Sequence, residues 1–274
     1  MLRTRLWVGS LLATIAAGVL FVDATFAPYY PFLFASVLAL GYFSTRELLS
    51  ILPINERPRT VPTTIGVCAL LALNWLHVPN AVALGLAFAI LSAFLVEMAT
   101  YTGDGNALRR VTMAAFIVGY LGFLPGFFVQ LRWSQGDLSG LALAVTICVP
   151  KLGDVGAYLM GRAFGRHKMT PLLSPKKTWQ GFAGGMIAAI STAIAFGSFE
   201  PRLFAFGLPH AIAFGVLVGL AGVLGDLAES LVKRECGKKD ASQTVPGFGG
   251  ILDVIDSVLF AAPVAYLLFR LESL

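Results

Sequence analysis

Nine apolar stretches of about the length that carries an α-helix across a bilayer follow one another along the chain. They run approximately over residues 6–22, 29–45, 62–78, 80–97, 111–131, 138–160, 181–199, 208–226 and 251–269. A spanning helix needs about 20 mainly apolar residues, so the expected fold is all-α and polytopic. Composition agrees. Of 274 residues 57% are hydrophobic and 13% charged, against about 25% charged in a soluble domain, and the mean hydropathy is +0.79. A soluble globule is excluded, and so is a disordered chain, which combines low hydrophobicity with high net charge. Three cysteines make no disulfide framework. Cys68 and Cys148 lie inside apolar runs and Cys236 among lysines, as expected of a chain facing reducing cytosol. Arg3 and Arg5 precede the first apolar stretch as in a signal peptide, but no convincing small-residue cleavage site leads into a soluble domain, so it reads as a helix.

Basic residues set the orientation, because they are retained on the cytoplasmic side of short loops. With nine helices and a cytoplasmic N-terminus, only Arg132, Arg202 and Arg270 of the 20 basic residues fall outside and Lys151 falls within a span. All the others face the cytoplasm. Eight or ten helices give a poorer asymmetry. The net charge of +5 is therefore a cytoplasmic face suited to anionic headgroups or phosphates. Nucleic acid is not an expected partner, since topology already accounts for the spread of cations. The expected location is the inner membrane, multi-pass, with any active site on the cytoplasmic side.

Polarity divides the chain. Residues 1–135 are helices 1–5 joined by short links, with longer inner loops only at 46–61 and 98–110. Residues 136–274 hold helices 6–9 and two polar cytoplasmic segments, 161–180 and 227–250, and there the chemistry is expected. Lys151, Asp154 and Tyr158 share one face of the sixth span. They form either a neutralising pair in a buried helix or the polar wall of a site, since ionisable groups within a membrane usually mark function. Ser174-Pro175-Lys176-Lys177-Thr178-Trp179-Gln180-Gly181 opens the seventh span. Ser174 or Thr178 could cap a helix that the lysines and Trp179 anchor at the interface; alternatively, the lysines and the free amides of the helix start hold phosphate.

The third cluster begins at Asp226, Glu229, Ser230, Lys233 and Arg234, continues through Lys238, Lys239 and Asp240, and ends in Pro246-Gly247-Phe248-Gly249-Gly250 with Asp253 and Asp256. An i,i+4 Glu229–Lys233 pair is one plain account of its first part, and a carboxylate complementing a helix dipole is one account of its last. Two acids on one face of an apolar helix, opposite an acid at its neighbour's end and beside several lysines, suit magnesium held between protein and substrate phosphates.

At these residues the sequence resembles the phosphatidate cytidylyltransferase family, the CDP-diacylglycerol synthases. Ser230, Lys233, Arg234, Lys239, Asp240, Pro246, Gly249, Gly250, Asp253 and Asp256 stand at the family's motif positions with unbroken spacing. Asp154-Val155-Gly156-Ala157-Tyr158, Gly161-Arg162 and the Ser-Pro-Lys-Lys-Thr-Trp segment are similar to family blocks in the same order. The resemblance implies transfer of CMP from CTP to phosphatidate, giving CDP-diacylglycerol and pyrophosphate. It implies Mg2+, with room for a second cation, at Asp226, Asp253 and Asp256. Lys233, Arg234, Lys239 and Asp240 join those acids as catalytic candidates. Asp154, Tyr158, Ser174, Lys176, Lys177, Thr178, Ser230, Gly249 and Gly250 are the substrate-binding candidates. CTP, phosphatidate, bilayer lipids and a second copy of the chain are the expected partners. Phe248, Val254 and Gln180 depart from the His, Arg and Glu usual in the family. Two rival readings are transfer to a different lipid phosphate and an ion-coupled transporter with Lys151, Asp154 and Asp226 as its path.

Overall fold

The computed structural model describes residues 2–76 and 80–271. The end of the third expected span, the last three residues of the chain, and the side chains of Arg3 and Arg5 lie outside the described residues. The helices are α1 (Leu2–Asp23), α2 (Pro31–Ile51), α3 (Thr60–Trp75), α4 (Ala81–Ala99), α5 (Ala107–Val118), α6 (Gly126–Ser134), α7 (Ser139–Phe164), α8 (Trp179–Phe199), α9 (Leu208–Glu235) and α10 (Ile251–Leu271). One antiparallel hairpin, β1 (Lys168–Thr170) with β2 (Ser174–Thr178), lies between α7 and α8. Among the described residues eight segments are long and apolar enough to cross a membrane, and large apolar side chains such as Trp7, Phe21, Phe88, Met98 and Ile187 are exposed as lipid contact requires. The protein is an all-α, multi-pass membrane protein.

The third expected span, α3, has 16 residues and reaches about 24 Å at 1.5 Å per residue, less than the roughly 30 Å hydrocarbon core. Its neighbours fit a crossing in spite of this length. Arg109 pairs with Glu56 at 2.5 Å, and Arg110 donates to the Asn55 carbonyl at 3.2 Å. The segments before α3 and after α4 therefore meet on one side, and α4, with 19 residues, is long enough to cross. An α4 that crosses obliges α3 to cross in the opposite sense. Arg110 also holds Glu97 and Asp104, each at 2.7 Å, and its hydrogen bond keeps the Asp104 carboxyl below the ordinary carboxylate range.

Two expected features take a different form. The fifth span is broken: α5 runs into a π turn at Gly119–Phe123, where the Leu124 amide reaches back to the Gly119 carbonyl at 3.1 Å. Pro125 then supplies no N–H to continue the ladder, and α6 starts afresh at Gly126. The segment 161–180 is partly a hairpin, which the helix-length pattern of apolar residues cannot signal.

The chain forms two compact units, Met1–Gln130 with Cys236–Val254, and Leu131–Glu235 with Ile255–Leu274. The sequence division at 135/136 put residues 236–254 with the C-terminal helices, whereas here they belong with the first unit. Glu47 of α2 is one tie between them: its carboxylate accepts from the Ile251 and Leu252 amides at 3.0 and 2.9 Å and from the Ser242 hydroxyl at 2.7 Å. The first unit packs around Leu48, Val67, Leu70, Leu71, Ile117 and Leu121. Asp23 caps α2 from a distance, accepting from the Phe32 and Leu33 amides at 2.9 and 2.8 Å. The second unit packs around Val145, Val149, Ala189, Ala193 and a cluster of Phe204, Phe214 and Phe269, whose ring centroids lie 5.2 and 5.1 Å from that of Phe214.

Candidate active site

Small residues decide which polar groups of the second unit meet. A Cβ added to Gly156 would stand 2.8 Å from the Gly184 carbonyl oxygen, and one on Gly185 would stand 3.0 Å from that of Gly153. The backbones of α7 and α8 are therefore in contact. A Cβ on Gly225 would lie 2.5 Å from the Asp256 carbonyl oxygen, and one on Gly222 2.6 Å from the Pro150 ring. Close approach of this kind is what small residues permit between membrane helices. It brings Lys151, Asp226 and Asp256, each adjacent to or within these contacts, into one neighbourhood.

Their charges are paired. Lys151 Nζ stands 3.2 Å from Asp256 Oδ1 and 3.8 Å from Asp154 Oδ2. Lys177 Nζ stands 2.8 Å from Asp226 Oδ2, and the Ser230 hydroxyl donates to the other oxygen of Asp226 at 3.4 Å. The i,i+4 pair Glu229–Lys233 forms at 2.5 Å with both side chains buried. Truncating either member of such a pair typically costs about 3–5 kcal/mol, because the other charge stays buried.

The hairpin explains the separate fates of two adjacent lysines. Successive strand side chains point to opposite faces, so Lys177 reaches Asp226 while Lys176 is exposed. Ser174 pairs with Thr170 across the hairpin. Thr178 caps α8, its hydroxyl accepting from the Gly181 amide at 3.1 Å. Gln180 accepts from the Arg166 and His167 amides at 3.1 and 3.2 Å and contacts His167 Nδ1 at 2.7 Å. An amide can donate and accept at once, which gives Gln180 a local role in holding the hairpin's entry. Arg234 donates to the Leu173 carbonyl at 3.3 Å. Tyr158 accepts from Arg162 at 3.2 Å, away from Lys151 and Asp154 in its bonding.

In the first unit a second polar cluster is built on the loop before α10. Asp253 Oδ2 accepts from the Gly250 amide at 2.7 Å and the Ala241 amide at 3.2 Å. Gly249 has φ +116°, and a Cβ there would stand 2.8 Å from Asp253 Oδ2; one on Gly250 would stand 2.5 Å from Glu47 Oε2. Both glycines thus leave room for a carboxylate. Phe248 lies against α1, where a Cβ on Gly9 would be 3.4 Å from its ring. Lys239 and Asp240 are exposed on the same loop. Asp253 and Asp256, one turn apart on α10, take different partners: Asp253 holds loop amides and Asp256 holds Lys151. Sequence reasoning missed Glu47, whose one signal was an acid at the end of an apolar span.

Among the described residues no three Asp, Glu, His or Cys side chains converge as a ready-made metal cage. What the second unit offers instead is hard carboxylates, Asp226 and Asp256, each already holding a cationic ammonium group. That donor set fits magnesium, which binds through one or two carboxylates and completes its shell with water and substrate phosphates.

Comparison with known proteins gives the chain its relatives. It is 35% identical over 209 residues to phosphatidate cytidylyltransferase 5, chloroplastic, of Arabidopsis thaliana, covering 66% of this chain and 50% of that protein. It is 38% identical over 179 residues to the phosphatidate cytidylyltransferase of Bacillus subtilis, covering 64% of this chain and 62% of that one. It is 33% identical over 210 residues to the uncharacterized protein YnbB of Escherichia coli, covering 72% and 68%. The chain spans about half the length of the Arabidopsis relative and of a Mycobacterium bovis phosphatidate cytidylyltransferase. The model of the cytidylyltransferase family matches residues 3–272, and with that match over nearly its whole length the chain belongs to the cytidylyltransferase family.

Proposed function

We propose that the protein transfers CMP from CTP to phosphatidate, giving CDP-diacylglycerol and pyrophosphate. The observation that carries this reading is the pairing of Asp226 with Lys177 and of Asp256 with Lys151 among apolar helices, in a chain whose relatives bear the names given above. A phosphate monoester has its second pKa near 6, so at neutral pH the lipid phosphate is already an anionic nucleophile. It needs no strong base. One of its oxygens forms a bond to the α-phosphorus of CTP, the bridging oxygen between the α- and β-phosphorus leaves, and pyrophosphate carries away the electron pair.

The difficulty is electrostatic, because an anion must approach a triphosphate and a pyrophosphate must leave. Lys177 and Lys151 supply charge next to the acids, and Lys176, Lys233, Arg234 and Lys239 are further candidates for phosphate contact. Asp226 and Asp256 would hold Mg2+, with Asp253 as a third candidate and Asp240 as a ligand or a partner for a lysine. When bound, Mg2+ supplies neutralisation of phosphate charge in the transition state. Asp154 keeps Lys151 oriented, Thr178 and Ser230 shape the backbone near these acids, and Gly249 and Gly250 of the first unit are further candidates for substrate contact. The reading places this site on the cytoplasmic side of the inner membrane, where water-soluble CTP meets a lipid whose acyl chains stay in the bilayer.

The test is purified protein in detergent with phosphatidate and each nucleoside triphosphate, assayed for pyrophosphate release. Release with CTP, dependent on phosphatidate and abolished by EDTA, is expected. Release with another lipid phosphate but not phosphatidate would redirect the reading to that substrate, and no release with any of them would overturn it.

A further inference from the structure

We propose that Glu47 of α2 is a positioning residue for cytidylyl transfer, holding the loop that precedes α10 in its working conformation; the proposal rests on the activity put forward above. Glu47 is about 200 positions away from the groups it binds and is 7% exposed. One oxygen accepts from the Ser242 hydroxyl at 2.7 Å and the Ile251 amide at 3.0 Å, and the other from the Leu252 amide at 2.9 Å. Ser242 in turn accepts from the Thr244 amide at 3.1 Å, which extends the contact into the loop.

The loop needs such an anchor. Its first helical amides have no partner within α10, and Gly250, next to Ile251, has no side chain with which to cap them. Within the loop, the Val245–Gly249 bridge, the Phe248 amide on the Val245 carbonyl at 3.1 Å, the Ser242–Thr244 contact and Asp253 holding the Ala241 and Gly250 amides are all local. Glu47 provides a full negative charge at the positive end of α10 and ties the loop to a helix remote in sequence. The segment fastened in this way carries Lys239, Asp240, Gly249, Gly250 and Asp253, all candidates for phosphate or metal contact. Gly250 leaves the space that Glu47 occupies, since a Cβ there would stand 2.5 Å from its carboxylate. A glutamine at position 47 would keep the length but turn an NH2 donor toward at least one of three donors.

The test combines amide hydrogen exchange with steady-state kinetics on the full chain in detergent. Glu47→Gln should speed exchange across residues 241–252, raise the KM for CTP and lower kcat, each by about tenfold, the loss of one charge-assisted hydrogen bond. Glu47→Asp, which keeps the charge, should recover part of both. Ser242→Ala removes one donor without burying an unmatched group, and should give a smaller shift in the same directions even if Glu47→Gln fails to fold. A purely architectural Glu47 would lower the yield of folded protein while leaving KM and kcat per folded molecule unchanged. That result, or unchanged exchange over 241–252 in Ser242→Ala and Glu47→Gln, would overturn the proposal. If the parent chain transfers no cytidylyl group, the activity reading fails; faster exchange in these variants then still upholds the anchor, and unchanged exchange overturns it.

Discussion

Lys176 and Lys177 are neighbours in sequence with different tasks, because β2 turns one toward Asp226 and leaves the other exposed. Replacing Lys177 by Met removes a cation 2.8 Å from Asp226 and should lower kcat/KM about a hundredfold or more, the range of one charge-assisted contact and its unpaired partner. Lys176→Met should lose less than tenfold. Kinetics of the two variants side by side would settle the assignment, and equal losses would contradict it. The acids divide similarly. Asp256→Asn should leave the far-ultraviolet circular dichroism of the helices intact and lower kcat on the order of a thousandfold, as expected when a metal clamp loses a charged ligand. More than half of parental activity at saturating magnesium would remove Asp256 from the machinery. The residue types of this cluster were readable from the sequence. So were the local pairs Glu229–Lys233 and Lys151–Asp154, but the remote partners were not: Asp253 and Asp256 share a helical face by spacing, yet one holds backbone amides and the other a lysine.

At the scale of elements, the contacts of α9 with α10 and of α7 with α8 rest on places where a side chain has no room. Gly225→Ala would put a Cβ 2.5 Å from the Asp256 carbonyl oxygen. Backbone cannot yield as a flexible side chain can, so overpacking should cost about 1–3 kcal/mol and displace Asp226 relative to Asp256. Gly18→Ala is the control, since nothing lies within 4 Å of its Cβ position. Thermal unfolding in detergent should show a clear fall in midpoint for Gly225→Ala and little change for Gly18→Ala; the reverse order would refute the seam. Thr178 was legible as one of two candidate caps. The hairpin was not legible, because its five-residue strand alternates too briefly beside charged and proline residues to stand out from a loop.

At the scale of the whole molecule, the Arg109–Glu56 ion pair and the Arg110 hydrogen bond to the Asn55 carbonyl join the segments flanking the α3–α4 pair and put them on one side. Single cysteines at Ile54 and Asn106, in a background lacking Cys68, Cys148 and Cys236, should be labelled from the same side as one at Ser174. A cysteine at Phe206 should be labelled from the opposite side. Labelling of positions 54 and 106 from opposite sides would show that α3 does not cross. The succession of apolar stretches, the all-α class and the concentration of charge after residue 150 came from the sequence by itself, because hydrophobicity and charge are carried by each residue wherever the chain goes. The break at Pro125, the grouping of residues 236–254 with the first unit and the anchor at Glu47 were decided only by tertiary structure. Glu47 and Leu252 are 205 positions apart and Lys151 and Asp256 are 105 apart. A buried carboxylate must find donors somewhere, but which donors it finds depends on where folded helices bring distant backbone within hydrogen-bonding reach, and no local pattern records that distance.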